Sequence, residues 1–314
     1  MTNNFVNGVL KGDPLSIARV ITMIENNHEK AIPIIKTLHR HTGKAHIIGI
    51  TGVMGSGKSS LIYELAKKYR EKNKKIGIIA IDPTSPFSGG ALLGDRIRMM
   101  NLADDENVFI RSMGTRGMLG GLTSAVYDTI NILDAAGKDI IMVETVGVGQ
   151  AEVDIVKIAD TTLVVLVPGL GDSIQTIKAG IMEIGDIFVV NKADRPGVEQ
   201  TIAELKTMLD LTRIVTERET PIITTIARER KGIDELINEI EKHKKYLKKN
   251  NMFEEKRRKR YETELVEIIK RKLTSLIFDE TNLKEKIQSL TDQILKKEID
   301  PHTAAEEILT RVIK

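Results

Sequence analysis

The 314-residue sequence contains no cysteine and no tryptophan. The first absence excludes a disulfide framework, thiolate metal ligation and a cysteine nucleophile, and it suits a reducing, cytoplasmic setting. The second, with an aromatic content of only 4%, argues against the stacking platforms that bind single-stranded nucleic acid. A surplus of one charge is missing too. The net charge of +3 is too small to grip a polyanion, so no nucleic-acid partner is expected. No apolar run reaches the roughly 18 residues needed to cross a bilayer, and Met1-Thr2-Asn3-Asn4-Phe5 lacks the basic-then-apolar start of a signal peptide. No membrane partner is expected either.

What is present divides into three stretches, on a length that suits about two domains. Residues 1–42 carry apolar positions at helical spacing (Ile17, Val20, Ile21, Ile24, then Ile32, Ile34, Ile35, Leu38), with breaks expected at Asp13-Pro14 and Ile32-Pro33. Residues 43–240 alternate short β-rich runs with longer amphipathic ones. The runs His46–Ile50, Ile76–Ile81, Val108–Arg111, Ile140–Glu144, Thr162–Val167, Ile187–Asn191 and Ile222–Thr225 are mostly continuous in apolar character, as strands covered on both faces are. Ser60–Glu71, Thr123–Ala136 and Val198–Leu209 are long enough for crossover helices. The expected fold is α/β, a doubly wound, mainly parallel sheet with ligands at the C-terminal strand ends. Residues 241–314 keep only helical periodicity, as in Tyr261, Leu265, Ile268, Ile269, Leu273, Leu276 and Ile277. Apolar stripes on extended helices need a partner, so this stretch is expected to be a dimerisation arm. Between Glu241 and Lys272 there are 13 Lys/Arg against 6 Asp/Glu, a local excess expected to be a solvated helix face.

The chemistry begins after the first strand. Gly52-Val53-Met54-Gly55-Ser56-Gly57-Lys58-Ser59 follows Ile47–Ile50 and opens a helix at Ser60, the context that distinguishes a phosphate-binding P-loop from a chance Gly-rich turn. Its glycines let successive amides point at phosphate oxygens at a helix N-terminus. Lys58 is expected on the β- and γ-phosphates and the Ser59 hydroxyl on Mg²⁺. A second, carboxylate anchor is expected from Glu144, the acid that ends Ile140–Val143 in a Walker B arrangement, with Gly147 placed to sense the γ-phosphate.

Asn191-Lys192-Ala193-Asp194, after the strand ending at Val190, points to guanine. Asp194 can accept bonds from guanine N1–H and its exocyclic amino group, donors that adenine lacks, and a carboxylate left unpaired discriminates strongly. Asn191 would brace the loop and the Lys192 stem would lie along the ring. Thr225-Ile226-Ala227, with Arg228 following, occupies the place where a backbone amide meets the guanine oxygen. Val148, directly after Gly147, cannot orient an attacking water, though Gln150 could substitute. Slow intrinsic hydrolysis that a partner or second subunit completes is therefore expected, with Arg96, Arg98 and Arg111 as undivided candidates for transition-state charge.

Longer motifs go beyond a GTP site. Asp82-Pro83-Thr84-Ser85-Pro86-Phe87-Ser88-Gly89-Gly90-Ala91-Leu92-Leu93-Gly94-Asp95-Arg96, Glu144-Thr145-Val146-Gly147-Val148-Gly149-Gln150, Val167-Pro168-Gly169-Leu170-Gly171-Asp172 and Asn191–Gly197 resemble the MeaB/ArgK GTPases, of the SIMIBI class of P-loop proteins. The resemblance runs from about residue 5 to the last helix. It implies a G-protein chaperone that gates delivery of adenosylcobalamin to a methylmalonyl-CoA mutase-type enzyme and protects that enzyme, meeting the cofactor through its client. It further implies a homodimer held by C-terminal helices, Asp82 and Asp95 near Mg²⁺ and the phosphates, and a partner-signalling segment around Pro168–Lys178 that includes Asp172 and Lys178. Two departures stand out: Met54 and Ser60 replace the family's usual Pro and Thr, and Ile226 replaces a Ser. Rival readings are a nickel-enzyme metallochaperone, for which six scattered His and no Cys offer no ligand tract, an amino-acid transport kinase, and a scaffold with a structural nucleotide.

Overall fold

Runs of β-branched residues supply the spine of the structure. The computed structural model describes residues 2–26, 28–82, 102, 104–114, 124–145, 154–169, 184–212, 219–278 and 283–312. Within them β1 (His46–Gly52), β2 (Ile76–Asp82), β3 (Val108–Gly114), β4 (Ile140–Thr145), β5 (Thr161–Leu166), β6 (Ile187–Asn191) and β7 (Ile222–Thr225) form one sheet. Its order is β3-β2-β4-β1-β5-β6-β7, and every adjacent pair is parallel. All seven expected strands are present: β1 to β4 run one to three residues longer, β5 is shifted by one residue, and β6 and β7 match. Residues of β1, β4, β5 and β6 are buried along their whole length, which explains their continuous rather than alternating apolar character.

Helices α1 (Thr2–Leu10), α2 (Pro14–Asn26) and α3 (His28–Leu38) precede the sheet. Asp13 starts α2 by accepting the Ser16 amide at 2.9 Å, with Pro14 at the first helical position, where its missing N–H costs nothing. The break expected at Pro33 does not occur: α3 runs through it. The freed carbonyl lies one turn back at exposed Glu29, where water can serve it, while Ala31, Ile34 and Leu38 are buried in the core and hold the helix in place. Helix α4 (Lys58–Glu71) follows β1, α5 (Ser124–Ala135) precedes β4, α6 (Val198–Thr212) follows β6 and α7 (Ile233–Lys249) follows β7. On one face, α5 and the N-terminal helices share a core with Ile47, Ile79 and Val143. On the other, α4 and α7 share one with Ile48, Ile50 and Met142.

The C-terminal helices are α8 (Met252–Phe278), α9 (Leu283–Leu295) and α10 (Pro301–Val312). The chain divides into two compact units, Met1–Arg260 and Tyr261–Lys314. In the second, Leu290 and Ala304 are buried and Lys286 pairs with Glu307 at 2.8 Å. Among the described residues no helix is long and apolar enough to cross a membrane.

The basic stretch is not simply a solvated face. At the root of α8, within the first unit, Lys256 bonds both Asp186 carboxylate oxygens at 3.2 and 3.0 Å. Arg257 reaches the carbonyls of Gly43 and Ala45, and Arg260 that of Ile158. These cations serve carbonyls and carboxylates at the N-terminal ends of the strands. A hydrogen-bonded chain lies beside them. His46 Nε2 and His243 Nδ1 each sit 2.9 Å from the Thr161 hydroxyl, and His243 Nε2 faces Asp186 at 3.3 Å. With His243 neutral and its Nε2 proton directed at Asp186, Thr161 donates to Nδ1 and accepts from His46.

Candidate functional site

At the C-terminal ends of β1, β4, β6 and β7 lies a cleft of about 580 Å³, within the usual range for small-molecule sites. Its floor is the segment between β1 and α4. At Gly52 (φ +134°) a Cβ would stand 2.1 Å from the Val165 carbonyl oxygen. Only glycine lets the chain leave the strand there. Gly57 (φ +88°) caps α4, and a Cβ on it would stand 2.5 Å from Asn191 Nδ2. The two glycines thus bracket a loop whose amides gather at the start of α4. Lys58 is 7% exposed and its ammonium donates to the carbonyls of Gly52 and Val53 at 2.9 and 3.2 Å.

Glu144, the acid expected on the metal side, stands beside Ser59. Parallel pairing sets Glu144 opposite Ile50, on the α4 side of the sheet, and the Ser59 hydroxyl donates to Glu144 Oε1 at 2.8 Å. A hydroxyl and a carboxylate side by side at the head of a phosphate loop are hard oxygen donors, and this donor set suits Mg²⁺. Among the described residues no group of three or more His, Cys, Asp or Glu could hold a metal by itself.

The Asn191 loop is fastened to the phosphate loop. Asn191, 2% exposed, donates to the Ser56 carbonyl at 2.7 Å and accepts from the Thr225 hydroxyl at 3.0 Å and the Ala227 amide at 3.2 Å. Lys192 adopts a left-handed conformation (φ +58°) and its ammonium donates to the Gly55 carbonyl at 2.7 Å. Asp194 is exposed at the rim. In the Thr225–Ala227 stretch, expected to offer an amide to the guanine oxygen, the Ala227 amide bonds Asn191. Met54, Gly55, Gly57, Lys58, Ser59, Ser60 and Glu144 line one side of the cleft; Asn191, Lys192, Asp194, Ile226, Ala227 and Arg228 line the other. Gly52, Val53, Ser56 and Thr225 stand behind this lining. Arg195 and Glu229 also line the cleft and were not singled out from sequence; adjacency to Asp194 and Arg228 was the available signal. Arg111, a sequence candidate for transition-state charge, instead pairs with Glu25 and bonds Thr22 of α2, fastening the N-terminal helices to β3.

The family model of the methylmalonyl-CoA mutase-associated GTPase MeaB matches residues 17–282. The chain belongs to the MeaB family. Its relatives include a Pyrococcus horikoshii protein named as a GTPase, 51% identical over 96% of both chains. The Escherichia coli GTPase ArgK is 33% identical over 72% of this chain and 71% of its own. The mitochondrial methylmalonic aciduria type A homolog of mouse is 30% identical over 96% of this chain and 77% of its own. A crystal structure of an LAO/AO transport system kinase shares the fold, with a TM-score of 0.72 at 21% identity over 100% of this chain and 98% of that one. Of the residues by which this MeaB-family chain was read from sequence, Asp95, Gly147, Gln150, Asp172 and Lys178 lie outside the described residues, as do Arg96, Arg98 and Val148. Asp82 closes β2 with its backbone, and its side chain lies outside them too.

Proposed function

We propose that this chain binds GTP with Mg²⁺ and hydrolyses it slowly, and that its nucleotide state governs engagement with an adenosylcobalamin-dependent acyl-CoA mutase of the methylmalonyl-CoA type. The observation carrying the GTP reading is the bonding of Asn191 and Lys192 to the carbonyls of Ser56 and Gly55. It ties a loop with guanine's acceptor, Asp194, to a loop with the phosphate donors. In this reading the amides ahead of α4 bind phosphate oxygens and Lys58 exchanges the Gly52 and Val53 carbonyls for the β- and γ-phosphates. Ser59 and Glu144 would hold Mg²⁺, which supplies neutralising charge between those phosphates. Asp194 accepts from guanine N1–H and the 2-amino group, while Asn191 keeps the reading loop in place. Asp194→Asn tests this directly. An amide can donate to the 2-oxo group of xanthine, so the variant should lose GDP and gain xanthosine diphosphate; retained GDP preference overturns the assignment.

The mutase reading rests on the family match, whose description names that association. Val148 after Gly147 supports a rate that waits for a partner, because valine cannot orient water. The dimer reading is supported by Leu265, Ile269 and Leu273, spaced four apart on α8 and 58%, 48% and 54% exposed. The decisive experiment measures GTP turnover with and without purified candidate mutases, beside pull-downs in GDP and a non-hydrolysable GTP analogue. Stimulation and a nucleotide-dependent complex are expected. Neither effect with any client, or a rate for the protein alone equal to that in the complex, refutes it. Sedimentation of the wild type against Leu265→Glu/Leu273→Glu tests the dimer.

A further inference from the structure

On the face of β4 opposite Glu144, two threonines share a hydrogen bond that the proposed mechanism does not use. Thr145 Oγ1 donates to Thr51 Oγ1 at 3.1 Å, and both residues are 0% exposed. Ile50 stands opposite Glu144 in the β1–β4 pairing, so Thr51 and Thr145 are the next pair along. Their side chains point to the other face because successive residues of a strand alternate. Thr51 directly precedes Gly52, where the phosphate loop begins, and Thr145 is the last residue of β4. Thr51 is therefore the last side chain before the phosphate loop, and Thr145 the last of its strand.

The two faces of the β4 end are thus tied differently. Glu144 is tied to Ser59 at 2.8 Å, a bond between the two oxygen donors assigned to Mg²⁺, so it cannot be counted on once those oxygens face an ion. The Thr51–Thr145 bond involves no atom that nucleotide or metal would take. Valine has the same shape as threonine, packs as well in a strand and leaves no hydroxyl to satisfy. Burial alone gives no reason for two hydroxyls in this apolar layer, where Ile81 of β2 is paired with Thr145. A directional bond does: it locks both χ1 angles and the register of the strand end.

We infer that Thr51 and Thr145 form a positioning pair that keeps the Glu144 carboxylate aligned with the phosphate loop when its bond to Ser59 is given up. This rests on the assignment of Glu144 to the metal side.

The test uses the full chain with Thr51→Val, Thr145→Val, the double variant, Thr51→Ser, and Glu144→Gln in parallel. Three quantities are read: urea unfolding, the Mg²⁺ concentration that half-saturates slow release of a fluorescent GDP analogue, and kcat and KM for GTP. Each single valine variant should raise the Mg²⁺ half-point and lower kcat about two- to tenfold, the worth of one hydrogen bond, with KM little changed. Thr51→Ser should restore both. The double variant strands no hydroxyl, so its unfolding midpoint should return toward wild type while the Mg²⁺ half-point and kcat stay impaired. If they recover together with stability, or if the single variants move stability alone, the pair is merely structural and the inference fails. Glu144→Gln separates the two readings. A shifted half-point there beside unshifted threonine variants sinks only the positioning pair, whereas an unshifted one sinks the assignment of Glu144 on which the pair depends.

Discussion

Asn191→Ala is the sharpest probe of how the site is assembled. The side chain satisfies three groups at once: the Ser56 carbonyl, the Thr225 hydroxyl and the Ala227 amide, at 2.7, 3.0 and 3.2 Å. Ala227 lines the cleft, so entering water can serve its amide. Ser56 and Thr225 are 0% and 1% exposed, and water cannot reach them without opening the loop. Each stranded group costs about 1–3 kcal/mol, so the variant should lose roughly 3 kcal/mol, a large share of a typical total of about 5–15 kcal/mol. The loss should appear in urea titrations followed by far-UV circular dichroism, since the chain has no tryptophan to report by fluorescence. Because the same contact orients the phosphate loop, affinity for a fluorescent GDP analogue should fall in parallel. Asp194→Ala is the matched control: Asp194 is exposed, so nucleotide binding should collapse while stability moves by less than about 0.5 kcal/mol. A loss below about 1 kcal/mol for Asn191→Ala, with GDP affinity intact, would refute the bracing role.

Other residues make further demands. Burial, and then the nearby Lys244, His243, Arg257 and Lys256, hold the His46 imidazole well below its usual pKa of 6.5. The folded chain therefore binds fewer protons there than the unfolded chain. Stability should be full above pH 6.5 and fall below it by up to about 1.4 kcal/mol per pH unit. His46→Gln should flatten that slope between about pH 6.5 and 5.5, and an unchanged slope would count against the assignment. Burial, with Lys75 close by, brings Lys138 from 10.5 down to about 8, so carrying its charge at pH 7 costs about 3 kcal/mol. Lys138→Met gives up a 3.0 Å bond to the Asn107 carbonyl and should still stabilise by about 2 kcal/mol in a urea titration; no gain would contradict this. Arg257→Ala strips the Gly43 and Ala45 carbonyls and a cation from near Asp160, which is 1% exposed. A loss of about 2–4 kcal/mol is expected, only partly restored by Arg257→Lys because an ammonium cannot fork across two carbonyls. Equal stability of the lysine variant and wild type would contradict it.

The seven strands, the glycine-bracketed loop and the Asn191–Asp194 loop were legible in the sequence because each is a local event. A buried parallel strand must be apolar throughout, a loop leaving β1 beneath the Val165 carbonyl must use glycine, and Asp13-Pro14 starts a helix by itself. Pro33 misled because a local rule met a nonlocal force: burial of Ile34 and Leu38 outweighs one missing amide near a solvated carbonyl. The cations of α8 misled likewise, since a charge run resembles a solvated face until Asp160, Asp186 and strand-end carbonyls arrive beside it. Nor could any spacing pair Thr51 with Thr145, 94 residues away, or send Arg111 to Glu25 rather than toward phosphate. By itself the sequence determined which strands form and which motifs the proposed nucleotide chemistry draws on. Tertiary structure alone decided which side chains serve that chemistry and which hold the frame, because buried partners are chosen by the unmet hydrogen bonds and charges that packing brings together.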